Sequence, residues 1–120
     1  MSYDTNNIFA KILRGEIPCD KVFENDHALA FNDISPQAKV HVLVIPKGSY
    51  KDVDDFSKNA SKDEITSLMQ AVAEVCKITK VSLTEGGNGF RLIANTGPDG
   101  SQEVPHFHYH VMGGEPMGLR

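Results

Sequence analysis

The chain has 120 residues and a mass of 13.2 kDa, which suits one domain built around one hydrophobic core. Its 40% hydrophobic and 23% charged residues are typical of a soluble globular protein. The formal net charge of −4 argues against a nucleic-acid coat or a membrane-surface protein, although it leaves room for a local basic pocket that binds a small phosphorylated ligand.

The first part of the chain predicts one short helix followed by three strands. Asn6-Asn7 can cap a helix over residues 8–13, which Gly15 terminates. Residues 21–24 and 28–31 form two short strands of a hairpin, joined by the turn residues Asn25-Asp26. After a loop over residues 33–37, residues 40–45 are the most strand-like run in the chain, and Pro46 stops it.

The second part predicts one long helix and two further strands. Ser61 and Glu64 form a capping box. Apolar residues follow at three- and four-residue spacing, as on an amphipathic helix: Ile65, Leu68, Met69, Val72, Val75 and Cys76. Residues 86–89, rich in glycine, precede a strand over residues 90–95, and a turn over residues 96–100 precedes the last strand. We therefore expect an α+β domain, a meandering antiparallel sheet with one long helix packed on one face.

The last predicted strand holds three of the chain's five histidines, which alternate with large apolar or aromatic residues. These three are His106, His108 and His110. Because successive side chains of a strand point to opposite faces, the histidines should line one face, and Phe107, Tyr109 and Val111 the other. A row of imidazoles, which titrate near physiological pH, indicates acid–base chemistry, nucleophilic chemistry or metal binding.

Strand geometry disfavours one metal shared by all three histidines. Residues two apart on a strand lie roughly 6.5–7 Å apart, whereas zinc–nitrogen bonds are about 2.0–2.1 Å long. A metal site would use two of them, with a carboxylate or another histidine such as His41. A central nucleophilic imidazole, flanked by imidazoles that hold a phosphate or orient its tautomer, fits the pattern better. The remaining interpretation is an edge strand whose solvent face happens to carry histidines.

Other features bear on location. No run of about 20 apolar residues could span a bilayer, and the first residues lack the basic and apolar stretches of a secretory signal. Cys19 and Cys76 are far apart and form no CxxC pair. We expect a cytoplasmic protein with free thiols, Cys76 in the core, and no disulfide framework.

Residues 106–112 closely resemble the signature of the histidine triad family, His-x-His-x-His followed by two apolar residues. Residues 33–38 with 41–47 look like a second block of that family, and residues 9–12 with 15–18 look like its N-terminal block. The blocks span about residues 8–114, so the resemblance implies a single domain over 1–120 with a short N-terminal arm and C-terminal tail. The closing Gly113-Gly114 resembles the nucleotide-binding branch; the dinucleoside polyphosphate hydrolase branch more often differs there, and the uridylyltransferase branch replaces the third histidine by glutamine.

The resemblance implies a homodimer whose two sheets join into one. It also implies a metal-independent hydrolase without a cofactor, which cleaves the P–N bond of purine nucleoside 5′-phosphoramidates through a nucleotidyl-histidine intermediate. The ligand would be a purine nucleotide of the AMP or GMP type, with no nucleic acid or membrane as partner. Open alternatives are a dinucleoside polyphosphate hydrolase, a non-catalytic nucleotide-binding adaptor and a metal-dependent hydrolase.

The resemblance also implies roles for individual residues. His108 would be the nucleophile, His110 would contact the phosphate and His106 would orient His108, while His41 would complete the cluster. Asp33 would accept hydrogen bonds from the ribose hydroxyls. The base pocket would be lined by Phe9, Ile17, Phe31 and Ile34, and the residues reaching the phosphate and leaving group would be Asn95, Ser101, Gln102 and Glu103.

Several of these residues have a structural alternative. The aromatic residues and Ile17 could simply belong to the core, Asp33 could cap the Ser35-Pro36 turn, and Asn95 could support the following turn. His41 could be a hydrogen-bonded core histidine, and His27, which matches no motif, is expected at the surface.

The chain also departs from the family pattern. Glu103 stands where some members carry serine, which puts in doubt a hydroxyl role in protonating the leaving group. Pro105 lacks a backbone donor, which suggests that the strand begins there or is unpaired on that side. The C-terminal tail has no tryptophan, so leaving-group specificity cannot be transferred from the family.

Overall fold

A computed structural model describes residues 2–118; Met1 and the end of the predicted tail, Leu119 and Arg120, lie outside the described residues. The helices are α1 (Ile8–Leu13), α2 (Val53–Asn59) and α3 (Lys62–Ile78), with a single 3₁₀ turn at Leu83–Glu85. The strands are β1 (Lys21–Glu24), β2 (Ala28–Asn32), β3 (Val40–Pro46), β4 (Phe90–Ala94) and β5 (Tyr109–Gly113). The predicted α+β class, with one long helix and a short N-terminal helix, is confirmed.

The five strands form one antiparallel sheet in the order β1-β2-β3-β5-β4. The predicted meander holds for the first three strands. It then changes, because β5 inserts between β3 and β4 and leaves β4 at the edge. In this register Leu43 on β3 lies opposite His110 on β5, which places residues of the two strands in neighbouring positions on one face.

Local capping signals explain where the helices begin. The Asn7 side chain accepts a hydrogen bond from the Ala10 N–H and caps α1, and the Ser61–Glu64 capping box is complete at the start of α3. The sequence analysis did not predict α2. Asp52 caps that helix by accepting from the Asp55 N–H.

The core lies on both faces of the sheet, because successive side chains of β2 and β3 point to opposite faces and are buried on each. On one face α3 packs against residues that include Val42, Val44 and Val111, and Cys76 is buried there as predicted. The opposite face carries a second cluster beneath α1, formed by Phe9, Leu29, Phe31, Leu43 and Ile45. The candidate site lies on this second face.

The histidine strand begins later than predicted. Regular pairing starts at Tyr109, so His106 and His108 precede β5. The N–H of Phe107 donates instead to the Tyr50 carbonyl at 2.8 Å, which takes it out of the strand ladder. The predicted alternation nevertheless persists, since Phe107 is buried on the α3 side while Phe9 contacts the two histidine rings on the other.

Within residues 2–118 no helix has the length and apolar character needed to cross a membrane. Cys19 and Cys76 are both free thiols.

Candidate active site

A cavity of about 640 Å³ opens on the face of the sheet that α1 partly covers. Its size lies within the range of small-molecule sites. It is lined by all the predicted site residues except two: His41, His108, His110, Asp33, Ile34, Phe9, Ile17, Phe31, Asn95, Ser101 and Glu103. The two exceptions, His106 and Gln102, are described below.

His108 presents an unprotonated nitrogen. Its Nδ1 lies 2.7 Å from the carbonyl oxygen of His106, which can only accept, so Nδ1 carries the proton. The neutral ring therefore keeps its lone pair on Nε2. Burial lowers the pKa of His108; the His106 carbonyl and the charges of Asp33 and Glu103 oppose that effect without cancelling it. At neutral pH the ring is uncharged and able to act as a nucleophile.

His110 is held in the opposite tautomer by His41. The N–H of Gln37 donates to Nδ1 of His41 at 3.0 Å, so the proton of the neutral His41 ring lies on Nε2. That nitrogen lies 2.9 Å from Nδ1 of His110, which accepts, and the proton of His110 is left on Nε2. Burial, helped by His108 and His41, lowers the pKa of His110 to about 4, so it remains a neutral N–H donor at pH 7.

His106 is fully buried behind the cavity and does not line it. Its Nε2 donates to the Pro46 carbonyl at 2.8 Å, and its Nδ1 lies 2.5 Å from the Tyr3 hydroxyl. Burial lowers its pKa to about 4. The predicted orienting contact with His108 is present, but the main-chain carbonyl of His106 makes it and the imidazole does not.

Asp33 directly follows β2, where it caps the turn after that strand and also lines the cavity. One carboxylate oxygen accepts from the Ser35 N–H at 2.8 Å, as the structural alternative predicted. The other oxygen lies 3.4 Å from Nε2 of His41, and Asp33 is one of the residues that line the cavity. The capping interpretation is confirmed, and the same carboxylate also lines the cavity.

The apolar side of the cavity is shared with the core. Phe9 and Phe31 are 6% and 4% exposed, belong to the cluster beneath α1 and contact each other edge-on. Ile17 is half-buried, while Ile34 is 92% exposed at the loop after β2. Phe9 and Phe31 therefore belong to the core and at the same time form an apolar wall of the cavity.

Gln102 is a structural residue. Its Nε2 donates to the carbonyls of Lys51 and Val104, and its Oε1 accepts from the Gly97 N–H. That it reaches the phosphate stays a prediction; in this structure its side chain bonds to main-chain groups of the surrounding loops and does not line the cavity. Asn95 lines the cavity but also donates to the Gly100 carbonyl at 2.8 Å, as its structural alternative predicted.

The cavity is acidic. Asp20, Asp33 and Glu103 line it, and its lining within the described chain contains no lysine or arginine. The basic pocket that the sequence analysis allowed is therefore not found here. Donors for an anionic ligand would be imidazole and main-chain N–H groups.

Sequence reasoning missed several lining residues: Ile8, Ile12, Pro18, Cys19, Asp20, Asn32, Ser35, Gln37, Leu43 and Val104. Leu43 could have been found, because it follows His41 by two positions on β3 and so shares its face. Gln37 could not, since its contribution to His41 is a main-chain contact. His27, expected at the surface, is half-buried beside the β1–β2 turn and does not line the cavity.

One group within residues 2–118 has the spacing of a metal site: possible ligand atoms of Asp33, His41 and His110 lie within 4.8 Å of one another. This group contains one triad histidine, whereas the sequence analysis considered two triad histidines together with a carboxylate or His41. The Gln37 N–H at Nδ1 of His41 argues against it, because the ring proton then occupies the nitrogen that a metal would need.

Comparisons with known proteins agree with this geometry. A family model described as the HIT domain matches residues 14–117. A 13.2 kDa HIT-like protein of Azospirillum brasilense is 54% identical over 98% of this chain and 93% of its own length. The purine nucleoside phosphoramidase of Escherichia coli K12 is 44% identical over 92% and 89%. A HIT family hydrolase from Clostridium thermocellum superposes with a TM-score of 0.84 at 34% identity, covering 96% of both chains.

Proposed function

The chain belongs to the HIT domain family, in its histidine triad nucleotide-binding branch, and from that premise we propose that it hydrolyses purine nucleoside 5′-phosphoramidates. The observation that carries the proposal is the tautomer of His108. Its Nδ1 proton is engaged by the His106 carbonyl, and its Nε2 lone pair belongs to a ring that lines the cavity. The 44% identity to a purine nucleoside phosphoramidase supports the choice of substrate.

In the proposed first step, Nε2 of His108 attacks the α-phosphorus and the P–N bond to the leaving amine breaks. The departing amine takes up one proton from water. The nucleotidylated ring then carries a positive charge, which the His106 carbonyl stabilises by accepting a hydrogen bond from Nδ1–H. Water next cleaves the new bond between phosphorus and His108, which releases the nucleoside monophosphate and restores the neutral imidazole.

Phosphate binding would rely on neutral donors. Nε2–H of His110 would donate to a phosphate oxygen, with its tautomer set by His41. Fixed donors of this kind stabilise developing charge because they need no reorganisation during the reaction. The acidic lining also disfavours additional free phosphate groups, so a monoester-like α-phosphate suits the cavity better than a long polyphosphate. This favours the phosphoramidate over the dinucleoside polyphosphate alternative.

Nucleoside recognition would use the Asp33 carboxylate for the ribose and the apolar side of the cavity for the base. Asp33 would accept hydrogen bonds from the ribose hydroxyls through the oxygen that the Ser35 N–H leaves free. The purine would lie against Phe9 and Phe31, with Ile17 and Ile34 nearer the opening. Ser101 and Glu103 would face the leaving group.

We further propose that the reaction needs no metal and that the protein acts in the cytoplasm as a homodimer. The protonated Nε2 of His41 supports the first point. The position of β4 supports the dimer, because this strand is an edge of the sheet and exposes Phe90 and Leu92. Chelation with EDTA should leave turnover unchanged, and light scattering of the purified protein should give twice the chain mass.

The central test is His108→Ala with adenosine 5′-phosphoramidate as substrate. We expect turnover to fall by at least about 10³-fold while AMP binding is retained, because the nucleophile is lost and most binding contacts are not. His27→Ala is the matched control, since that histidine does not line the cavity. Near-wild-type turnover in His108→Ala would reject the nucleophile.

A second measurement separates the enzyme from an adaptor. Rapid quenching of the wild-type reaction, followed by peptide mass spectrometry, should find the nucleotide on His108. A protein that binds AMP tightly but shows neither an adduct nor turnover would instead be a nucleotide-binding adaptor.

A further inference from the structure

The residues before α1 reach the back of the histidine cluster. The hydroxyl of Tyr3 lies 2.5 Å from Nδ1 of His106, and the two rings pack edge-on with centroids 5.6 Å apart. Since Nε2 of His106 donates to the Pro46 carbonyl, Nδ1 is the accepting nitrogen, and the Tyr3 hydroxyl is the donor. A side chain outside the cavity thus completes the bonding of a fully buried imidazole.

The start of α1 holds this tyrosine in place. Nδ2 of Asn7 donates to the Tyr3 hydroxyl at 2.9 Å, while Oδ1 of the same side chain caps the helix by accepting from the Ala10 N–H. Asn7 is 5% exposed; its bond with the Ala10 N–H is buried, and its bond with the Tyr3 hydroxyl is partly buried. The direction of donation is therefore the same along the whole chain of bonds, from Asn7 to Tyr3, from Tyr3 to His106, and from His106 to Pro46.

We propose that Tyr3 is a positioning residue for His108 and acts through His106. Hydrogen bonds at both ring nitrogens anchor the His106 side chain, and the carbonyl of this same residue accepts a hydrogen bond from Nδ1–H of His108 at 2.7 Å. Fixing that carbonyl fixes the tautomer and the tilt of His108. The inference rests on the proposed role of His108 as nucleophile.

Phe9 connects the N-terminal segment that carries Tyr3 and Asn7 with the wall of the cavity. Its ring contacts His108 edge-on at a centroid distance of 4.9 Å and His106 at 6.3 Å, and it sits two residues after Asn7 on α1. The N-terminal arm, the helix cap and the nucleophile are therefore one connected packing unit. Loss of the Tyr3 hydroxyl should loosen the far side of this unit without removing any group that lines the cavity.

The test is Tyr3→Phe, which removes the hydroxyl and keeps the ring contact. We expect kcat to fall roughly three- to tenfold with KM within about twofold of wild type, because small misplacements of a reacting group act on the chemical step. Long-range ¹H–¹⁵N spectra should show wild-type His108 protonated on Nδ1, and faster solvent exchange of that proton in the variant.

Tyr50→Phe is the matched control. Its hydroxyl binds Glu64 outside the cavity, so its loss removes a comparable tyrosine bond while both His108 readouts stay at wild-type values. Unchanged kcat and unchanged exchange of the His108 proton in Tyr3→Phe would overturn the proposal, and so would equal changes in the two variants. If the exchange changes but His108→Ala remains active, the positioning contact stands and the proposed function fails.

Discussion

Nε2 of His41 lies 2.9 Å from Nδ1 of His110 across the β3–β5 pair. One proton fits between these nitrogens, and the Gln37 N–H on the far side of His41 places it on Nε2 of that ring. A second proton between them would make the His110 ring positive in a buried place beside His41 and His108, and the pKa of His110 is accordingly lowered to about 4. The pair therefore works as a neutral donor unit at pH 7.

This hydrogen bond predicts that two substitutions of His41 differ in how much activity they retain. His41→Ala should lower kcat/KM for adenosine 5′-phosphoramidate by roughly tenfold to a hundredfold, because His110 then loses the donor that sets its tautomer; losing a direct oxyanion donor costs about 10²–10³. His41→Gln should retain more activity, since an amide N–H can occupy the place of Nε2–H. Steady-state kinetics of both variants decide this, and equal activities would contradict it.

The acid limb of the pH–rate profile should report His108. Burial lowers its pKa, so the midpoint of kcat/KM should lie below 6.5, the ordinary value. Glu103 raises this pKa through its charge, and Glu103→Gln should therefore move the midpoint to still lower pH. Asp99→Asn, which removes an exposed carboxylate that does not line the cavity, is the control. A midpoint that moves upward in Glu103→Gln would refute the assignment.

Mild acid should destabilise the fold through the buried histidines. The folded pKa of His106 is about 4 against an ordinary 6.5, so between these values the unfolded chain binds a proton that the folded chain does not. The free energy of unfolding should then fall as the pH decreases, by at most about 1.4 kcal/mol per pH unit for each such histidine. The pKa of His110 is also lowered to about 4, so this residue should likewise lower the free energy of unfolding as the pH decreases.

Urea unfolding at pH 7.5 and pH 5.0 measures this effect at pH values above the ordinary pKa of carboxylates. His106→Gln should reduce the difference in unfolding free energy between the two pH values, although it also lowers stability at both. An unfolding free energy that is equal at both pH values in the wild-type protein would contradict the prediction.

Local signals allowed much of the fold to be predicted from the sequence. The cap at Asn7, the capping box at Ser61 and the alternation through Tyr109 depend on neighbours in the chain, and each is found as predicted. The helix α2 was missed because it is short and buries only Phe56, so that its apolar periodicity is too weak to detect. Its capping aspartate was the available signal.

The rest depended on contacts between distant parts of the chain. β5 starts at Tyr109 because Phe107 donates to a carbonyl of a remote loop, and no local pattern encodes that bond. In the candidate site, too, some features follow from local sequence patterns and others depend on contacts between distant residues. Residue types and the shared face of the histidines were predictable, whereas the tautomers of His108 and His110 are set by main-chain groups and by a partner ring.

Asp33 offers the sharpest test of nucleoside recognition, because its two structural contacts compete with the proposed functional one. Asp33→Asn should weaken AMP binding by about tenfold to a hundredfold, the usual effect of losing one charged hydrogen bond of about 1.5–3 kcal/mol. If the loss arises at the ribose, 2′,3′-dideoxy-AMP should bind the variant and the wild-type protein equally, as calorimetry can measure. If it arises instead from the 3.4 Å contact between Asp33 and His41, both nucleotides should lose affinity to the same extent, and the ribose assignment would be wrong.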